Sequence, residues 1–274
     1  MSSTGITRLE RPTRAQLDRC IADHRPAIFS GLMDDQAASR DWDLPYLRRK
    51  LGRRAVKVVR HDRPRLYWDP QKGLPLRPLP FDEFADAVFE RRALGWSYLQ
   101  DDINNIADLK DDYRLPAMIE EKALLRGKFW LSGPGLITPL HYDPVETLHW
   151  VVRGSKRFIC YRPGVAEYYP FPFRSTAPFI SQVDPDHPEP ERYPRFQRAR
   201  PLEFTVEPGE ILYLPAYWWH QVYSQGPVNV SVNFVWHASR WKALRHLGQS
   251  LRARRHLARA VAQARAAQEA AARL

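Results

Sequence analysis

Between Trp96 and Ala238 the chain is divided into short runs of β-branched and aromatic residues. They are WSYLQ, KFWLSG, TLHWVV, KRFICY, LEFTV, EILYL and VNVSVNFVW, separated by Gly, Pro and Asp turns. Seven such runs at short spacing leave few folds open. They predict a mainly β protein, an antiparallel barrel or a double-sheet jelly roll, with helices at its flanks. The R-G-S turn at residues 153–155 predicts a hairpin that returns KRFICY antiparallel to TLHWVV. One stretch breaks the rhythm: residues 163–201 contain YYPFPF and DPDHPEPERYPRF, too long for a plain connection. They are expected to form an ordered insertion over the barrel mouth.

The sequence divides into three parts. Residues 1–95 read as alternating helices and strands packed on the barrel. RAQLDRCIAD spaces Leu17 and Ile21 one turn apart, and PAIFSG reads as a short strand. DLPYLRRKLG has Asp43 where an N-cap belongs and Gly52 where the helix should stop, and AVKVVRHD reads as a strand. PFDEFADAVFERRALG puts Phe81, Phe84, Ala85 and Val88 on one helical face ending near Gly95. Residues 96–239 form the β core. Residues 240–274 are helical, with Trp241, Leu244, Leu247, Leu251, Leu257 and Val261 on an Ala/Arg background and a break expected at Gly248. Such a stripe needs cover, either from a second copy in a homodimer or from the chain's own barrel.

The net charge of +11 is concentrated in this tail. It holds nine Lys/Arg against the single acid Glu269, a net +8, and the other 239 residues carry only +3. A solvated helical face accounts for this, and so does a docking surface for RNA or an acidic partner. No aromatic interleaving of the kind single-strand binding uses is present. The two cysteines, Cys20 and Cys160, exclude a disulfide scaffold and a Cys-based zinc module, and they suit a reducing cytoplasm. MSSTGITRLERP has no apolar signal core, and no run approaches 18 apolar residues, so a soluble protein without a membrane partner is expected.

The chemistry-bearing residues lie in two β stretches. TPLHYD carries His141 and Asp143, which strand alternation would point the same way. A lone H-x-D is a weak signal, since an exposed pair at a strand entrance looks the same. PGEILYLPAYWWH supplies a later histidine, His220, after the Pro208-Gly209 turn. Beside two tryptophans it could be a satisfied core residue, but a barrel would bring its strand alongside the first. Two histidines and a carboxylate make the facial triad of non-haem Fe(II). Zinc is the other metal reading, although zinc enzymes more often add a third nitrogen or a cysteine. Lys156, at the head of KRFICY, supplies a compact cation for the far carboxylate of a dicarboxylate chelating the metal. Thr138 and Tyr98 could add hydroxyl donors.

With these residues in place, the segment from about Trp96 to Ala238 resembles the JmjC-type, cupin-like Fe(II)/2-oxoglutarate oxygenases. Within them it most resembles the subgroup of the asparaginyl hydroxylase that inhibits hypoxia-inducible factor. The resemblance is carried by YLQ, TPLHYD, GSKRF, VDPDHPEPERYPRF, PGEILYLPAYWWH and VNF, with RPAIFSGL near residue 25. It implies a double-stranded β-helix with a C-terminal helical dimerisation segment. It also implies Fe(II) on His141, Asp143 and His220. 2-Oxoglutarate would be held by Lys156, Thr138 and Tyr98 with Asn233 nearby, and Gln100 would lie toward the primary substrate. The pattern departs at Thr147 and His149, where that hydroxylase has asparagine and phenylalanine, and Trp236 falls one residue late. His149 shares strand parity with His141 and Asp143, so it is expected to face the cavity, either supporting the metal ligands or meeting the substrate, and Trp236 is expected on the substrate side. The implied reaction consumes dioxygen, releases succinate and carbon dioxide and hydroxylates a C–H bond, with Trp218, Trp219 and Tyr142 excluding water. The implied substrate is a protein or peptide side chain, and demethylation is a variant. The alternatives are hydroxylation of a modified tRNA base or small metabolite, or a non-catalytic cupin-like binding module.

Overall fold

The computed structural model of the chain describes residues 5–89, 96–116, 118–121 and 124–254. Its N-terminal elements follow local signals. β1 (Thr7–Glu10) leads into α1 (Arg14–Asp23), which Thr13 and Gln16 open with a reciprocal capping box and His24 closes in the left-handed conformation. β2 (Ala27–Ser30), α2 (Ala37–Asp41) and α3 (Leu44–Leu51) follow. The Asp43 carboxylate accepts the Tyr46 N–H at 2.7 Å and caps α3, and Gly52 stops it. After β3 (Ala55–His61) and β4 (Arg77–Pro80), α4 (Phe81–Phe89) buries Phe81, Phe84 and Ala85. Its expected end near Gly95 lies outside the described residues.

The β-rich part contains β5 (Trp96–Asp102), β6 (Leu124–Ser132), β7 (Ile137–Tyr142), β8 (Val145–Tyr161), β9 (Leu202–Val206), β10 (Ile211–Leu214) and β11 (Trp219–His237). The strands join in the order β1-β2-β10-β8-β11-β6-β5-β3-β4, with β7 also on β11 and β9 on β8. The mainly β architecture is therefore the one the runs predicted. Strands from before residue 96 extend it at two places, β2 along β10 and β3 along β5.

Two local expectations are corrected. TLHWVV and KRFICY do not form a hairpin. They are two halves of β8, and both run antiparallel to β11. At Gly154 the chain kinks instead of turning. Its φ is +67°, and an added Cβ would lie 2.5 Å from the Val228 carbonyl oxygen and 2.7 Å from that of Gln225. Gly226, at φ +87°, bends β11 opposite it. Facing kinks carry the two strands together through the bend, and a positive-φ glycine serves a kink as well as a turn. The helical break also falls earlier than Gly248. α5 (Arg240–Arg245) ends at His246, and helix resumes over residues 247–254. Leu257 and Val261 lie outside the described residues.

Alternation along β8 and β11 separates the packing. Leu148, Trp150, Val232 and Phe234 face a core shared with Trp42 and Phe84 from the helices. Ile159, Tyr161 and Trp219 face Tyr168, Tyr193 and Phe196 of the insertion. The third set, Val151, Phe158, Cys160, Leu212 and Val222, fills one part of the interior. Buried polar residues, including His149, Lys156, Ser224 and Ser231, share that interior face. The insertion is ordered and lies along β7, where the Ser181 N–H donates to Leu140 at 2.8 Å and the Tyr142 N–H to Phe179 at 3.1 Å. Arg65 fastens it, donating to Asp184 at 2.5 Å, Asp186 at 2.7 Å and Gln221 at 2.7 Å. No helix among the described residues is long and apolar enough to cross a membrane.

Candidate metal centre

His141 is near the end of β7 and His220 near the start of β11, and the β7–β11 register sets them directly opposite each other. Their ring centroids are 4.0 Å apart. Asp143 sits just past β7 rather than within it, so alternation alone does not place it. The loop before β11 does so: Tyr217, left-handed at φ +68°, donates its N–H to the Asp143 carbonyl at 2.7 Å. Asp143 Oδ2 then lies 3.9 Å from His220 Nε2, and one ligand atom from each of the three residues lies within 4.8 Å of the others.

Both rings are oriented by backbone carbonyls. His141 Nδ1 is 2.8 Å from Pro139 O, and His220 Nδ1 is 3.1 Å from Trp218 O. Donation from each Nδ1 leaves the Nε2 lone pair for a metal. Burial pushes the His220 pKa down to about 3, with the charge of His141 adding to the effect and Asp143 opposing it. The ring is neutral at physiological pH, as a metal ligand must be. Two imidazoles and one carboxylate, without cysteine, fit the donor set of a 2-His-1-carboxylate iron centre.

The interior beside the triad carries a cation without a counter-charge. Lys156 is 4% exposed, and burial pushes its pKa down to about 7. Its Nζ donates to Ser224 Oγ at 3.4 Å, and no carboxylate among the described residues pairs with it. Tyr98 and Thr138 are hydrogen-bonded to each other, close enough to Asp143 for its charge to act on the phenol. Tyr98 also stacks on Trp130 at 5.2 Å. Asn233 faces His149 across the β8–β11 register. Unpaired buried polar atoms in this region include Asn233 Oδ1, His149 Nε2, Ser231 Oγ and Ser132 Oγ. A buried cation and several open hydrogen-bonding atoms fit a polar, anionic ligand.

Gln100 shares the Tyr98 face of β5 and is the register partner of Trp130. The structure does not bring Trp236 to the triad. It stacks on Tyr213 with centroids 6.4 Å apart and lines a depression with Arg14, Leu17, Ile21 and Met118. Nor do all the expected water-excluding aromatics face the interior. Trp218 packs beside Val222 and Cys160, but Trp219 and Tyr142 belong to the core beneath the insertion.

A model of the cupin-like domain matches residues 12–241. The chain belongs to the cupin-like family. Relatives within reach of this family's JmjC oxygenases include the human bifunctional peptidase and (3S)-lysyl hydroxylase JMJD7. It is 32% identical over 252 residues, covering 78% of this chain and 78% of that one. Human tRNA wybutosine-synthesizing protein 5 is 28% identical over 255 residues, covering 84% and 77%. Lysine-specific demethylase 8 of Xenopus tropicalis is 27% identical over 245 residues, covering 86% of this chain and 53% of that one. Members with such names act as hydroxylase, demethylase or tRNA-synthesis protein, so the family likeness alone leaves the substrate class open.

Sequence reasoning missed several residues that shape this site. Ser224, the partner of Lys156, lies four residues after His220 on one strand, and counting by two along β11 would have found it. Glu146 is buried and accepts from Tyr213 at 2.7 Å, from the Ala216 N–H at 3.2 Å and from Lys242 at 2.6 Å. It therefore ties α5 to the loop that holds Asp143, a connection with no local signal.

Proposed function

We propose that this protein is an Fe(II)- and 2-oxoglutarate-dependent dioxygenase that hydroxylates a C–H bond of a protein or peptide side chain, with succinate and carbon dioxide as co-products. One observation carries the reading: a His-Asp-His triad shares its interior with a buried lysine that has no counter-charge. Iron bound there with 2-oxoglutarate and dioxygen supplies oxidative decarboxylation and the oxidising power for C–H hydroxylation. His141, Asp143 and His220 hold the metal from one side. Lys156 pairs with the far carboxylate, whose negative charge offsets the cost of burying the ammonium. Tyr98 and Thr138 donate to the same end, and Asn233 lies near the co-substrate. Gln100 and Trp130 stand at the primary-substrate side. No general base is needed.

The human lysyl hydroxylase likeness, with the highest identity of the three relatives above, supports a protein substrate. The TPLHYD and PGEILYLPAYWWH motifs support an affinity with the asparaginyl-hydroxylase subgroup. Hydroxylation of a tRNA base is the second reading, favoured by the basic C-terminal segment and by the wybutosine-protein likeness. The free thiols Cys20 and Cys160 suit a reducing cytoplasm. The dimer reading also gains support from the C-terminal helices. Gln249, Ser250 and Ala253 are buried against the barrel, leaving Trp241 82%, Leu244 61%, Leu247 51% and Leu251 47% exposed. A second copy offering the same stripe would cover it.

The test is succinate formation from 2-oxoglutarate by protein loaded anaerobically with Fe(II) and then exposed to air, with His220→Ala as control. Host extract pretreated with protease or ribonuclease is added in parallel. Triad-dependent turnover stimulated by extract supports the oxygenase, and the treatment that abolishes stimulation identifies the substrate class. No succinate above the His220→Ala level would favour a binding module instead.

A further inference from the structure

His149 has no role in the assignments above. Its side chain is 8% exposed and stands edge-on to Phe158, with ring centroids 5.6 Å apart. Alternation along β8 sets it on the interior face with Thr147 and Val151. The charges of Lys156 and His220 both act on the ring, so it lies near the proposed co-substrate anchor and near one residue of the candidate metal site. Burial, reinforced by those two charges, holds its pKa well below the ordinary value, and the Asn233 amide pulls weakly the other way. The ring is therefore neutral and carries one N–H. Neither its Nε2 nor Asn233 Oδ1 opposite makes a hydrogen bond of good geometry among the described residues, although the two side chains are close enough for the amide to act on the ring. A buried polar atom left open beside a buried, uncompensated cation points to a ligand atom as its partner.

We propose that His149 is a positioning residue for the co-substrate, its Nε2–H donating a hydrogen bond to an oxygen of the 2-oxo acid held between Lys156 and the metal ligands. This rests on the oxygenase reading above. It moves His149 from the substrate side, where strand parity in the sequence put it, to the co-substrate side.

The test uses the full chain loaded anaerobically with Fe(II) and measures 2-oxoglutarate binding by calorimetry, with Fe(II) affinity measured separately. His149→Phe keeps a ring against Phe158 but removes the donor, and His149→Gln puts an amide N–H near the place of Nε2. Loss of one hydrogen bond to a charged ligand predicts 2-oxoglutarate binding weakened tenfold to a hundredfold in His149→Phe, with Fe(II) affinity within about twofold. His149→Gln should regain most of the loss. Unchanged 2-oxoglutarate affinity in His149→Phe overturns the proposal and leaves the oxygenase reading standing. Wild-type protein that binds Fe(II) but no 2-oxoglutarate overturns both. If His149→Phe does not fold, His149→Gln is compared with His149→Asn, whose amide mimics Nδ1. Binding retained by Gln and lost by Asn supports the Nε2 assignment, and the reverse overturns it.

Discussion

Replacing Lys156 by methionine should make the ligand-free protein more stable while removing its affinity for 2-oxoglutarate. The magnitude follows from burial. The lysine titrates at 10.5 when solvated and is pushed down to about 7 in the fold. At about 1.4 kcal/mol per pKa unit, holding the ammonium in the interior costs about 5 kcal/mol as an upper bound. Local relaxation and water reduce this, and apolar replacement of buried charges typically stabilises by about 1–4 kcal/mol. Methionine has nearly the same length and shape and leaves only Ser224 Oγ without its partner. The pH dependence has a definite sign. Above pH 10.5 lysine is neutral in both states and carries no penalty. As pH falls, the unfolded chain binds the proton first, so the penalty grows until about pH 7 and is complete below it. The stability gap between Lys156→Met and wild type should therefore be widest at pH 6–7 and close as pH rises toward 10. Urea denaturation of both proteins across pH 6 to 9.5 measures it. Adding Fe(II) and 2-oxoglutarate anaerobically should raise the stability of the wild type and leave the variant unmoved. A variant less stable than wild type at pH 7, or a gap independent of pH, would refute the placement of an uncompensated lysine in the interior.

Three further outcomes are expected. Gly154→Ala should lose roughly 3 kcal/mol or more in chemical denaturation, because the added Cβ meets the Val228 carbonyl at 2.5 Å at a left-handed φ; a change under 1 kcal/mol would remove the facing-kink account of the two long strands. His246, pushed down to about 4 by burial with His24, Arg245 and Lys242 adding to it, is neutral in the fold. Since the unfolded chain protonates first, stability should fall as pH drops from about 6.5 toward 4, and His246→Gln should flatten that slope in thermal melts; an identical slope would show that other groups set it. Leu244→Arg combined with Leu247→Arg should convert a dimer to a monomer in light-scattering chromatography without lowering Fe(II) affinity, and an unchanged mass would exclude this stripe as the interface.

The two halves of the candidate metal site were legible because chemistry-bearing residues sit in short motifs whose spacing is local. His141 and His220 needed only the inference that a closed β fold makes their strands neighbours. Asp143 was found for a partly mistaken reason. Strand alternation was invoked to aim it, yet it lies beyond the end of β7 and is held by the Tyr217 N–H from a loop 74 residues later. Lys156 was also located without its true surroundings: the glycine before it was read as a hairpin turn, since a positive φ in sequence looks the same whether a strand reverses or bends. What stayed hidden was long-range. Glu146, Tyr213 and Lys242 converge from two strands and a terminal helix, and no period links them.

The C-terminal helices show how far an apolar pattern can mislead about which face is inside. Leu244, Leu247 and Leu251 make the natural core stripe, but the barrel instead receives Gln249, whose side chain donates to the Tyr217 carbonyl at 2.9 Å while its own carbonyl accepts the Tyr142 hydroxyl at 3.0 Å. A polar residue turned inward is costly unless it satisfies backbone groups that nothing else reaches. Tyr217 is such a group, because its N–H is committed to Asp143 and its left-handed turn removes its carbonyl from any strand ladder. The helix therefore spends its polar face on the loop that carries the metal-site geometry and leaves its leucines outside. The same logic governs the interior, where Lys156 is buried without a counter-charge among the described residues and His149 and Asn233 turn polar atoms inward. In both places the residues that contradict the hydrophobic pattern are the ones that connect fold to chemistry.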